Sequence, residues 1–145
     1  MEVGPATNTI TVSTVAALNE LLEAERAGVE VMSRLVAEAS TTELRDAFSR
    51  VRDDEAWSCA GLVAALHRAG GPVSSGRGDF AARVFAAEGL VARLELLNRG
   101  QAWVVRRLDR LLEQPLAAET AAFLRVMRNA HVRNIEACER FTKDG

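Results

Sequence analysis

Glu25 lies in the stretch "LNELLEAERAGVEVM", where Leu18, Leu21, Leu22, Val29, Met32, Leu35 and Val36 recur mostly at steps of three and four. A helix with that spacing buries one stripe, and Glu25 falls on it. A carboxylate on a buried seam is costly unless a partner or a proton neutralises it. Three other segments carry similar interruptions. Glu55 and Ser58 break the seam Leu44, Phe48, Val51, Leu62 and Leu66; Asn98 and Gln101 break Val91, Leu94, Val105 and Leu108; His131 and Asn134 break Leu124, Met127 and Cys138. Glu25, Glu55 and His131 have the donor chemistry of a metal site, which Glu23, Asp54 or Glu95 could assist. Iron, manganese or zinc would suit such donors. Without a metal, two nearby buried carboxylates repel, so a cation must lie between them or one must take up a proton.

Four long helices are needed to bring these residues together. The first is predicted from an N-cap at Thr14 to about Ala39, after a mixed N-terminal arm, residues 1–13, that contains Gly4 and Pro5. Ser40 to Glu43 has the spacing of a capping box, so a second helix begins at once and turns back antiparallel. Gly70, Gly71 and Pro72 end it. A short helical piece follows Asp79 and breaks at Gly89. The third helix is predicted from about Leu90 to Glu113 and the fourth from about Pro115 to Phe141, neighbours again because few residues separate them. Gly70 to Gly89 can span a helix of roughly 35 Å, which permits a crossover and a parallel second and third helix. The bundle is thus assigned to residues 14–141, with a tail at 142–145.

The two hairpins look like a repeat. The interval from Glu25 to Ser58 equals that from Asn98 to His131, and the same shift relates Glu55 to Arg128. Glu25 and Glu55 are also equidistant from Ser40, which puts them at one depth in a hairpin. A duplicated helix pair would therefore surround one polar layer of Glu25, Glu55, Ser58, Asn98, Arg128 and His131.

Composition agrees with an all-α chain: 145 residues, 48% apolar, no Tyr and only three Pro. The net charge is −2, and Arg residues alternate with acids, so no one-sign surface points to nucleic acid or an anionic membrane. Arg106, Arg107 and Arg110 read as a solvated helix face. No apolar run has the length of a membrane span and no leader is recognisable, so a cytoplasmic protein is expected. Cys59 and Cys138 are read as small buried hydrophobes, His67 as a helix-end residue, and Trp57 and Trp103 as packing anchors. Gly28 and Gly100, inside predicted helices, would allow close helix approach or mark local irregularity. There is no nucleophile–base pair, phosphate loop or nucleotide motif.

The stretch "LNELLEAERAG" resembles the first helix of bacterioferritins and other ferritin-like proteins, with Glu25 at the position of a metal-binding Glu. "DDEAWSCAGL" and "LNRGQAWVVRRL" resemble an uncharacterised bacterial family of ferritin-like proteins with no established activity. The resemblance covers about Thr14 to Phe141. It implies a ferritin-like four-helix bundle of two antiparallel hairpins joined by a long crossover. It also implies six ligands to two metals: one Glu from the first helix of each hairpin and a Glu-x-x-His from the second. Glu25, Glu55 and His131 match that set; Ser58, Asn98 and Arg128 stand where His, Glu and Glu are expected.

Three readings follow. In the first, the bundle has lost its dimetal centre, Arg128 supplies the countercharge for Glu55 or Glu25, and the protein serves in binding or assembly. In the second, Glu25, Glu55 and His131 form a reduced metal site for oxidoreductase or storage chemistry. In the third, Asn98, Gln101, Trp57 and Trp103 line a small-molecule pocket in the bundle centre. A homodimer is the expected assembly, since ferritin-like bundles often pair through helix faces.

Overall fold

The computed structural model describes residues 5–143, with side chains from residue 12 onward. They form α1 (Pro5–Glu38), α2 (Thr42–Ala69), α3 (Phe80–Ala86), α4 (Leu90–Leu111) and α5 (Ala118–Lys143). α1 begins nine residues before the expected cap at Thr14, so residues 5–13 are helical and do not form an extended arm. Pro5 suits a first turn, and the following Thr, Ile and Val residues each cost only a few tenths of a kcal/mol once a helix is under way. Residues 1–4 of the expected arm, and residues 144–145 of the expected tail, lie outside the described residues. The remainder of that tail, Thr142 and Lys143, belongs to α5.

The α1–α2 turn is tighter than the capping-box reading supposed. Thr41 is the N-cap, its hydroxyl accepting from the Leu44 N–H at 3.1 Å; Ser40 precedes it. α2 ends as Gly70 requires: φ is +71°, the Gly70 N–H donates to the His67 carbonyl and the Gly71 N–H to the Leu66 carbonyl, a Schellman arrangement.

Two apolar clusters fix the topology. One joins Leu18, Leu21 and Leu22 of α1 to Leu62 and Leu66 of α2, Leu108 and Leu111 of α4, and Leu124 and Met127 of α5. The other joins Met32 and Leu35 to Phe48 and Val51, Leu94 and Leu97, and Cys138. The end of α2 therefore shares a level with the end of α4, so these helices run parallel, and α1 runs antiparallel to both. This is the ferritin-like bundle of two antiparallel hairpins with a crossover. α1 packs on α2 and α4, and α5 on α4 and α2. On α1 the seam turns slightly from the expected one: Val31 is fully buried and Val29 half-buried.

The crossover is held to α1 by a second, polar stripe. Asn19 donates to the Pro72 carbonyl at 2.9 Å and accepts from the Ser74 N–H at 2.8 Å. Glu23 accepts from the Ser74 hydroxyl, and Arg26 donates to the Ser74 and Gly76 carbonyls at 2.6 and 3.1 Å. Helical spacing puts Asn19, Glu23 and Arg26 on one face, so the segment is tied down without a strand or helix of its own. α3 then packs on α1 and α4 through buried Val84. Among the described residues no helix is long and apolar enough to cross a membrane.

Candidate functional site

Between the two apolar clusters lies a layer of buried polar side chains: Glu25, Glu55, Ser58, Gln101, His131 and Asn134, each at most 6% exposed. Each helix delivers its polar residue from the same face that carries leucines above and below, which is why all point inward.

His131 organises one side of the layer. Its Nδ1 is 2.9 Å from the Met127 carbonyl oxygen, which can only accept, so Nδ1 carries a hydrogen. Its Nε2 is 3.0 Å from Glu25 Oε2, and that contact must hold one proton. Burial alone would lower the imidazole pKa; the Glu25 carboxylate, by charge and by hydrogen bond, outweighs it and raises the pKa above 6.5. The imidazolium–carboxylate form is thereby favoured.

Glu55 has no such partner. Burial, then the charges of Glu25 and Asp54, holds its carboxyl well above the ordinary 4.5, which favours the protonated form. Its space comes from Gly28: a Cβ there would run into Glu55 Oε2 and lie 2.6 Å from Cδ. Gly100 similarly admits the Phe80 ring, whose Cζ would lie 2.9 Å from a Cβ. Both glycines accommodate a side chain, where closer helix approach was the simplest expectation.

Arg128 is not in the layer. Its Nε bonds Asp109 Oδ1 at 2.6 Å and its side chain is 37% exposed. α5 turns Met127 inward at this level, and a guanidinium keeps its hydration at the surface more cheaply than it can lose it beside Glu55. The expected countercharge is thus corrected. Ser58 is fully buried, yet its hydroxyl donates back to the Asp54 carbonyl at 2.9 Å. Asn98 is half-buried and donates to the Ile135 carbonyl at 3.2 Å while accepting from Gln101 Nε2 at 3.1 Å. Of the acids named as helpers, Glu23 holds the crossover and Glu95 is exposed.

A cavity of about 620 Å³ opens beside α1 and α4 under the crossover and reaches this layer. Glu25, Glu55 and Gln101 lie at its polar floor, Leu97, Trp103, Val104 and Phe80 supply apolar wall, and Arg77, Arg83, Arg99 and Arg106 also line it. Asn98 and Trp57 do not. Trp57 is 47% exposed and packs on Phe123 with ring centroids 5.1 Å apart, above Gly61, because α2 turns Ser58 inward at that level. Glu25 Oε1, Glu55 Oε1, Gln101 Oε1 and Asn134 Nδ2 are buried without a hydrogen-bond partner. The crossover residues of this wall were not found from the sequence; Gly100, a gap on the face of a helix opposite an aromatic-led segment, was the available signal.

The two cysteines are free. Burial, then nearby carboxylates, pushes the Cys59 thiol up to about 11 and the Cys138 thiol up to about 12, which leaves both unreactive as thiolates.

A dimetal centre does not fit these donors. Ser58 and Asn98 direct their polar groups to helix carbonyls, and Arg128 pairs with Asp109 outside the layer. Among the described residues no three His, Cys, Asp or Glu side chains are grouped closely enough to hold a metal.

Comparison with known proteins agrees with the fold. A family model described as Domain of unknown function (DUF6306) matches residues 13–140. A crystal structure of a ferritin-like, diiron-carboxylate protein from Bacillus anthracis str. Ames superposes with a TM-score of 0.79 at 21% identity, covering 92% of this chain and 97% of that one. No curated protein matches.

Proposed function

The chain belongs to the DUF6306 family, and on that premise we propose that it is a ferritin-like binding protein: its bundle centre has lost the dimetal site and receives a small molecule through the cavity beside α1 and α4. The observation that carries this reading is the cavity itself, whose lining includes three buried polar residues, Glu25, Glu55 and Gln101, beside apolar walls. The volume, about 620 Å³, falls among ordinary small-molecule sites. Apolar walls would take the ligand's body. The Glu25–His131 pair holds one carboxylate in place, while the raised pKa of Glu55 keeps the layer from holding two bare charges.

A single-cation site is the second reading, favoured by three buried oxygens without a hydrogen-bond partner, Glu25 Oε1, Glu55 Oε1 and Gln101 Oε1, which are hard ligands. Elemental analysis of protein purified without chelator, beside Glu25→Ala, separates the two. Binding predicts far less than one metal per chain in both proteins. Near-stoichiometric iron, manganese or zinc that disappears in Glu25→Ala would establish the metal site instead. A homodimer is the proposed assembly, with exposed Trp57 and Val126 offering apolar surface, and sedimentation tests it.

A further inference from the structure

The cavity beside α1 and α4 is lined by charge of one prevailing sign. Outside the polar layer its lining has four arginines, Arg77, Arg83, Arg99 and Arg106, against two acids, Glu23 and Asp79, in a chain whose net charge is −2. The arginines come from the crossover, α3 and α4, so the fold gathers an excess that no run in the sequence contains. Neighbouring acids do not absorb it. Arg77 and Arg83 make exposed pairs at 3.5 Å with Glu30 and Asp79, Glu23 accepts from the Ser74 hydroxyl, and Arg99 and Arg106 form no salt bridge among the described residues. Arg107, next along α4, differs: Glu20 of α1 takes its guanidinium at 2.7 Å.

The inner end of the cavity offers an occupant mainly carbon. Leu97 and Val104 are buried, Phe80 is seated against Gly100, and Trp103 stands between the two arginines without acids, since residues 99, 103 and 106 share one face of α4. The oxygens of the layer do not hold a polar group there: Glu25 Oε1, Glu55 Oε1 and Gln101 Oε1 have almost no exposed surface, and Glu25 is engaged by His131. Polar recognition therefore falls to the rim. A guanidinium presents paired N–H donors in the geometry of a carboxylate, and a concave surface of one sign concentrates the opposite one.

Resting on the binding reading above, we propose that the cavity takes an amphiphilic anion, its hydrocarbon body on Leu97, Trp103 and Val104 and its carboxylate head held at the rim by Arg99 and Arg106. Arg77 and Arg83 add to the field there without being required as contacts.

Trp103 makes binding at this site measurable. The chain has two tryptophans, and Trp57 lies on Phe123 outside the lining, so Trp57→Phe leaves one fluorophore, in the cavity wall. That protein is titrated with octanoate, octanol, octylamine and acetate. Octanoate should shift the Trp103 emission saturably at one equivalent. Octanol should bind more weakly by about threefold to tenfold, the range of two solvent-exposed ion pairs, octylamine more weakly still, and acetate, a head without a body, should leave the emission unchanged. Arg99→Gln with Arg106→Gln should bring octanoate down to the affinity of octanol and leave octanol as it was; raising salt from about 0.05 M to about 0.5 M should narrow the same gap. Arg125→Gln with Arg133→Gln removes equal charge from α5 outside the lining and should leave the preference for octanoate intact. Melting temperatures report whether each variant folds. Octanol or octylamine binding as tightly as octanoate, a preference that survives loss of Arg99 and Arg106 or falls equally with Arg125 and Arg133, or no saturable response to octanoate overturns the anion. Equal binding of octanoate and octanol would do so while leaving a small-molecule cavity in place, whereas stoichiometric metal lost in Glu25→Ala removes the binding reading itself.

Discussion

Gly28→Ala isolates the fit between α1 and the buried carboxyl of Glu55. In an ordinary helix interior this change stabilises by about 1 kcal/mol, because alanine has the higher helix propensity. Here the new methyl group would collide with Glu55 Oε2 and lie 2.6 Å from Cδ, so the carboxyl must move within a packed layer. Overpacking of that kind costs about 1–3 kcal/mol. The net expectation is a loss of about 1 kcal/mol, or about 3 °C in Tm for a chain of this size. In a Glu55→Ala background the methyl enters vacated space, and the same substitution should instead stabilise by about 1 kcal/mol. The coupling between the two positions is then about 2 kcal/mol, within the range for residues in direct contact. Urea unfolding of the four proteins measures it, with m-values checked for constancy. If Gly28→Ala stabilises equally in both backgrounds, Glu55 does not occupy the space over Gly28 and the account of the layer is wrong.

Stability should fall on the alkaline side. Glu55 and His131 both have folded pKa values above their ordinary 4.5 and 6.5, so each contributes stability present below the ordinary value and lost as pH rises through the raised one. Thermal melts should decline across that window with a slope of up to about 1.4 kcal/mol per pH unit per proton, and Glu55→Gln should flatten the Glu55 part; an identical profile in the variant refutes the assignment. His131→Ala leaves the Glu25 carboxylate buried and unpaired, and should destabilise by about 3–5 kcal/mol in chemical denaturation; a loss under about 1 kcal/mol would show that the pair is not closed to water. Arg128→Met breaks a solvent-exposed pair with Asp109 and should cost no more than about 1 kcal/mol; a loss of several would restore a buried role for the guanidinium.

Much of the fold was legible because helical periodicity is a local property. The seams through Phe48 to Leu66 and Leu124 to Cys138, the stop at Gly70 and the length of the crossover each follow from neighbours a few residues apart, and that length permits the parallel course of α2 and α4. The same logic put Glu25, Glu55 and His131 on inward faces, since a polar residue on an apolar stripe has nowhere else to point. Boundaries were less secure where cooperativity decides: α1 runs back to Pro5, and the cap falls on Thr41 and not Ser40.

Partners across the bundle are another matter, because spacing gives a residue its depth and rough direction but not what it meets. Repeat symmetry related Glu55 to Arg128, yet α5 turns Met127, already on its apolar seam, to the centre and leaves Arg128 with Asp109, where its hydration is kept. His131 meets Glu25 from across the bundle diagonal, and burial favours the protonated form of Glu55 in a niche that a missing Cβ at Gly28 provides. The cavity is wholly a tertiary product, made where Gly100 admits Phe80 and where the polar stripe of α1 holds the crossover against it. Sequence by itself determined the helices and which of their faces are buried; only packing decided which charges meet, which oxygens are left without partners, and hence what chemistry the centre can accept.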